Sequence, residues 1–275
     1  MRSRDGSPGH PSGDVSPVGQ IGSVTLLRVN LDQQRGYAAA HAGRGWFVTF
    51  EGPEGSGKTI QAARLQAAAV AVGIPTTLSR EPGGTPLGDR IRHILMDAGQ
   101  DSVPLGPRAD ALLFNAARAQ HVDDVLRPAL ARGELVICAR YADSTLAYQG
   151  YGSGLSLAAL AQLQQLATDG LRPDLTILLD VPVEIGLGRK GSDEQQRFEA
   201  GFDLAYHQRV RDGFRRLAAA DPGRFVSLDA TASEASVEAQ VRAAVGRLAG
   251  LEAVAAVPAG AGSDEPELPA LRITR

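Results

Sequence analysis

Residues 51 to 59 read EGPEGSGKT and set Gly52, Gly57, Lys58 and Thr59 in the spacing G-x-x-x-x-G-K-[ST]. The chemistry such a stretch can do is the holding of phosphate. Glycine lets the loop Gly52, Pro53, Glu54, Gly55, Ser56, Gly57 curl until its N–H groups face one anion, and a helix that starts behind it adds a positive dipole end. The Lys58 ammonium neutralises β/γ-phosphate oxygens, and the Thr59 hydroxyl is offered to Mg²⁺. Lys58 and Lys190 are the only lysines in a chain that otherwise uses arginine, which adds a little weight to Lys58.

Transfer of a phosphoryl group needs more cation than one lysine and a metal ion, because charge spreads over the transferred group. The loop holds no arginine. GLGRKGSDEQQRFE supplies Arg189, Lys190 and Arg197 in a polar stretch that could close over ATP as a lid, although each could equally be ordinary surface charge. A second group of residues suits an anionic, flat ligand. SREPGGTPLGDRIRHIL puts Arg80 at a strand tip and Arg92 on the next helix, and guanidinium forks bind phosphate through two bonds. LLFNAARAQH spaces Phe114 and Arg118 four apart on one helix face. That pair suits a nucleobase, but spacing alone favours a core phenylalanine beside an arginine whose stem lies along it. VICARYADSTLAYQG reads as a strand running out into a loop that carries Arg140, Asp143, Ser144, Tyr148 and Gln149.

Short β-rich runs at 46–51, 76–80, 135–140, 175–181 and 225–230 must position these groups. Helical patterns separate them, near 58–72, 86–97, 107–131, 156–168, 199–219 and 234–249. Near-continuous apolar strands alternating with helices predict an α/β fold, a parallel five-stranded sheet with helices on both faces. Right-handed crossovers then gather every strand's C-terminal end, with its chemistry, on one edge. Residues 45–250 form this domain; the Gly/Pro/Ser-rich residues 1–44 read as a disordered extension and 251–275 as a flexible tail.

With 43% hydrophobic residues the 275-residue chain can bury a sizeable core, and a net charge of −3 gives no basic footprint for nucleic acid or an anionic membrane. No run approaches the roughly 18 apolar residues of a membrane span, and the N-terminus lacks the apolar core of a signal peptide. Cys138 is the lone cysteine and lies within a strand, so a buried thiol and a cytoplasmic location are expected.

FEGPEGSGKT, REPGGT, LLF with Arg118 five residues beyond its second leucine, and RYADSTLAYQG occur in one order, and together they resemble the bacterial thymidylate kinase (dTMP kinase) family over about residues 46–248. The resemblance implies a P-loop NTPase fold that transfers the γ-phosphate of ATP to dTMP with Mg²⁺, in a homodimer. It implies that Phe114 stacks on thymine, Arg118 bonds the base, and Arg92 and Arg140 hold the dTMP phosphate. Tyr148 crowds the sugar where a 2′-hydroxyl would sit, Ser144 and Gln149 line the base pocket, Glu54 reaches toward the acceptor, and Arg189 serves as a lid arginine.

This chain departs from the family pattern at Ile60, at Gln196, in a slightly short lid and, most seriously, at Ala139, where the family usually has the aspartate of Asp-Arg-Tyr. An acid at that sheet edge orders Mg²⁺ or its waters. Glu51 and Asp180, at two strand tips, and Asp143 are the nearest substitutes, and each could instead be a carboxylate capping a turn. Two other readings stay open: another nucleoside monophosphate kinase, or a nucleotide-binding protein that has lost turnover.

Overall fold

Five strands, β1 (Phe47–Glu51), β2 (Thr76–Arg80), β3 (Leu135–Ala139), β4 (Leu175–Asp180) and β5 (Phe225–Asp229), pair in the order β2-β3-β1-β4-β5. Every pairing is parallel. The computed structural model describes residues 44–96, 105–189 and 203–258. β1 and β3 are buried along their whole length, as central strands covered on both faces must be.

The helices are α1 (Lys58–Ala71), α2 (Pro86–Met96), α3 (Pro107–His121), α4 (Arg127–Ala131), α5 (Ala142–Thr145), α6 (Leu157–Thr168), α7 (Val183–Gly188), α8 (Leu204–Ala220), α9 (Glu234–Val245) and α10 (Glu252–Ala255). Strand alternation divides the core. Val48, Phe50, Ile137, Ala139 and Leu179 meet Ala62 and Leu65 of α1 and Val241 of α9 on one face. On the other face Phe47 and Cys138 meet Leu126 and Tyr141, and Leu178 meets Val210 and Phe214 of α8. Burial is the first reason that the Cys138 thiol is pushed well above its ordinary range.

Three expectations change. Residues 142–152, read as a loop, are helical: α5 runs on into wide π-helical turns over Leu146–Gly152. Glycine at 150 and 152 argues locally against helix, yet a Cβ there would lie 2.5 Å from Leu157 and 2.7 Å from Tyr206, so tertiary packing selects the residue. The core also passes the boundary drawn at 250. Leu251, Val254 and Val257 are buried against the α1/α9 layer, so residues 251–258 pack with the domain. At the other end Arg44 pairs with Asp174 at 2.8 Å, which ties residue 44 to the domain. Residues 1–43 and 259–275, and Lys190, Gln196 and Arg197 of the expected lid, lie outside the described residues. Among the described residues no helix is long and apolar enough to cross a membrane.

Candidate active site

The phosphate loop joins β1 to α1, and its glycines are required by what surrounds them. Gly52 (φ 142°) and Gly55 (φ 67°) sit where a Cβ would fall 2.3 Å from the Leu179 carbonyl oxygen and 1.8 Å from that of Gly186. Any side chain would push the loop off β4 and α7. Gly57, also left-handed, opens α1, so the helix N-terminus faces the loop interior. The Lys58 ammonium lies across the loop, donating to the carbonyls of Gly52 (2.9 Å) and Pro53 (2.7 Å) and to Ser56 Oγ (3.0 Å). The loop is thus built around a buried cation.

One cavity of about 780 Å³ is walled by residues 54–59 of this loop and also by Arg92, Phe114, Arg140, Ser144, Tyr148, Gln149 and Arg189. The sequence scattered these over almost the whole domain, and the strand C-terminal edge gathers them. Arg92 has its proton affinity lowered by burial first, then by the charges of Arg80 and Arg140. Two guanidiniums that line one cavity and repel each other, with Arg80 also acting on Arg92, are a site prepared for an anion. Arg80 stands behind this group and does not line the cavity.

Arg140 takes a left-handed backbone (φ 68°), a conformation costly for a residue with a side chain. Its N–H bonds the Phe50 carbonyl at 2.9 Å, and the turn directs its side chain toward Glu54. Arg140 Nη2 and Tyr148 Oη both donate to Glu54 Oε1, at 2.6 and 2.9 Å, and the guanidinium lies 5.0 Å from the Tyr148 ring centre. Burial lowers Arg140's hold on its proton, but Glu54, then Tyr148 and Glu51, outweigh it and leave the guanidinium above its ordinary value. Arg189 reaches back from the end of α7 to the Gly55 carbonyl (3.3 Å) and to Ala230 (2.9 Å). Phe114 is half-buried, one side in a cluster with Ile91 and Leu95 and an edge on the cavity.

Arg118 does not line the cavity beside Phe114, nor does its head reach solvent as the core alternative expected. Only 1% exposed, it lies behind the cavity wall, donating from Nε to Glu81 (2.8 Å), from Nη1 to Asn115 (3.1 Å) and Thr145 (3.1 Å), and from Nη2 to the Tyr141 carbonyl (3.0 Å). Four of its five N–H groups are engaged in these bonds. Glu81 and Thr145 do line the cavity, as do Gln61 and Glu234, and none of the four was singled out from the sequence. Glu81 had a signal, being part of the quoted REPGGT. Thr145 had the same kind of signal, lying within the quoted RYADSTLAYQG, whereas Gln61 and Glu234 had none in spacing or residue type.

The proposed substitutes for the missing acid face the wrong way. Ala139 pairs in register with Phe50 and shares its face of the sheet toward α1, whereas Glu51 pairs with Leu178 and points, like Asp180, to the opposite face. Asp180 accepts two bonds from Arg211, at 2.7 and 3.1 Å, and does not line the cavity. Asp143 is held by a fork from Arg224 at 2.7 and 3.1 Å. Fully buried Glu51 accepts from the N–H groups of Tyr141 (2.8 Å) and Ser144 (3.2 Å), while its other oxygen meets Ser144 Oγ at 2.6 Å. It caps α5 from a distant strand. Burial, then the charge of Asp143, pushes its carboxyl up to about 7, against the opposing pull of Ser144, Arg140 and Tyr141.

Among the described residues no group of three or more His, Cys, Asp or Glu could hold a metal. The Thr59 hydroxyl, exposed on the cavity wall, is the oxygen donor nearest in chain to Lys58. That donor set fits an ion that arrives with its own phosphate oxygens and waters, as Mg²⁺ does, and not a cage of protein ligands.

A family model described as thymidylate kinase matches residues 50–241. A thymidylate kinase of Deinococcus radiodurans is 52% identical over 202 residues, spanning 74% of this chain and 97% of its own. That of Thermomicrobium roseum is 53% identical over 188 residues, 68% of this chain and 87% of its own. A crystal structure of thymidylate kinase from Ehrlichia chaffeensis superposes with a TM-score of 0.55 at 34% identity, covering 67% of this chain and 92% of that one. The phosphate loop on a five-stranded parallel sheet is therefore a P-loop NTPase fold, and the chain belongs to the thymidylate kinase family.

Proposed function

We propose that the protein transfers the γ-phosphoryl group of ATP to the phosphate of dTMP, giving dTDP and ADP. One observation carries this reading: a single cavity is walled by the phosphate loop and by an aromatic, arginine-lined pocket, so donor triphosphate and acceptor monophosphate share one space. The loop amides from Gly52 to Thr59 and the Lys58 ammonium would hold the donor phosphates. Arg92 and Arg140 would receive the acceptor phosphate, with Arg80 adding field from behind. Phe114 would stack on the thymine, Ser144 and Gln149 would line the base pocket, and Arg118 would act through Thr145 and its remaining N–H. Tyr148, pinned by Glu54, would crowd the sugar against a 2′-hydroxyl.

Catalysis is then positioning and charge stabilisation, because an acceptor phosphate is already anionic and little proton transfer is needed. Lys58, Arg140 and Arg189 ring the place where that charge develops. Mg²⁺ bound with ATP would neutralise phosphate charge as the group moves, with Thr59 as its protein donor. Exposed Leu87 and Ile94, seven apart on α2, and Leu112 on neighbouring α3 support a homodimer, which light scattering tests. The lone buried thiol supports a cytoplasmic location.

Coupled ADP release with dTMP, dUMP, ribothymidine monophosphate and dCMP as acceptors tests the assignment. The reading expects dTMP to be best and dCMP poor. A different preferred acceptor would make the protein another nucleoside monophosphate kinase.

A further inference from the structure

Behind the acceptor half of the cavity runs a chain of buried polar side chains that the phosphoryl transfer itself does not use. Ser79, on β2, meets His121 Nε2 through its hydroxyl at 2.6 Å. His121, the last residue of α3, places Nδ1 3.1 Å from Glu81 Oε1. Glu81 Oε2 accepts from Arg118 Nε at 2.8 Å, and Arg118 goes on to Thr145 and the Tyr141 carbonyl. His121 is 0% exposed, Arg118 1% and Glu81 5%. One placement of protons satisfies every contact: the Ser79 hydroxyl donates to Nε2, and the Nδ1–H donates to Glu81. The chain joins β2, the turn after it, α3 and the start of α5. It reaches the cavity at its middle, Glu81, and at one end, Thr145.

We propose that His121 is a positioning residue for acceptor recognition, holding the Glu81 carboxylate so that Arg118, from behind the wall, fixes Glu81 and Thr145 where they face the base. This rests on the acceptor reading above. A buried carboxylate–guanidinium pair is favourable only when its remaining oxygens and N–H groups are satisfied, and His121 supplies the donor to the second oxygen. Without it Glu81 has reason to turn toward the cavity, taking Arg118 with it. The turn packs on the same group: a Cβ on Gly84 would lie 2.7 Å from Ser79 Oγ and 2.9 Å from the His121 ring. Arg92 bonds the Pro82 carbonyl in that turn at 3.2 Å, so the base side and the phosphate side of the pocket share one support.

His121→Asn keeps an amide N–H near the position of Nδ1, whereas His121→Gln places its amide near Nε2 and leaves Glu81 without its donor. Calorimetric Kd values for dTMP and ATP should separate the two. The expected result is dTMP binding within about threefold of wild type in His121→Asn, weakened roughly tenfold or more in His121→Gln, with ATP binding unchanged in both. Circular dichroism and the ATP Kd report folding, and a pair of equally unfolded variants would overturn the proposal by showing a structural requirement only. Equal dTMP affinity in the two folded variants, or parallel loss of dTMP and ATP, would also overturn it. A wild-type protein that binds no dTMP would instead defeat the acceptor reading.

Discussion

Replacing Glu51 by glutamine separates two roles for one buried acid, the cap of α5 and a ligand of the metal. The carboxyl rises from 4.5 to about 7 in the folded chain. At about 1.4 kcal/mol per pH unit this is about 3 kcal/mol of pH-dependent stability. The folded value is the higher one, so the folded chain binds this proton more tightly than the unfolded chain. The contribution is therefore fully present below pH 4.5 and is lost as pH rises to about 7. Glutamine keeps an oxygen for the Tyr141 and Ser144 N–H groups, offers an N–H to Ser144 Oγ, and does not titrate. Urea unfolding of both proteins from pH 4.5 to 8 at fixed ionic strength should show Glu51→Gln gaining on wild type by about 3 kcal/mol across that range. The Mg²⁺ concentration for half-maximal rate should stay within about twofold. A stability difference flat with pH would refute the buried-cap account, and a large rise in the Mg²⁺ requirement would restore Glu51 as a metal ligand.

Lys58→Ala should lower turnover at least a hundredfold, because no other lysine reaches the loop among the described residues, and near-wild-type ADP release would refute the phosphate-loop assignment. Ala139→Asp restores a carboxylate on the α1 face of the sheet, so it should lower the Mg²⁺ needed for half-maximal rate while Asp180→Asn leaves it unchanged; superimposable titrations would show that position 139 does not serve the ion. A chain ending at 258 and starting at 44 should keep full activity, whereas one ending at 250 gives up the burial of Leu251, Val254 and Val257. That loss is about 4 kcal/mol and roughly 10 °C in Tm, and equal melting of the two chains would show that α10 adds nothing.

What was legible in the sequence followed from how local its cause is. β2 is found at Thr76–Arg80, where it was expected, although it is a half-buried edge strand, and the other strands start or end within a residue; central β1 and β3, buried on both faces, announce themselves as apolar runs. The phosphate loop was equally plain, its glycines, lysine and threonine being neighbours in the chain. Residues 142–152 were misread because their helical start is capped by Glu51, 90 residues before Tyr141, and their glycines are explained by distant packing partners such as Leu157 and Tyr206. Arg118 shows the other limit. Spacing put it on the face of Phe114, but whether it reached the ligand or Glu81 depended on where the REPGGT turn came to rest. Strand parity held the answer to the Ala139 question, since Glu51 follows Phe50 and so must point to the other face, but that inference needed the register of β1 against β3.

The central claim is that donor and acceptor meet in one cavity and exchange a phosphoryl group directly. Following ATP and dTMP with Mg²⁺ by phosphorus NMR tests it without coupling enzymes. The account predicts ADP and dTDP appearing in equal amounts, dependent on dTMP and absent in Lys58→Ala. Inorganic phosphate in place of dTDP, or binding of both nucleotides with no conversion, would contradict it.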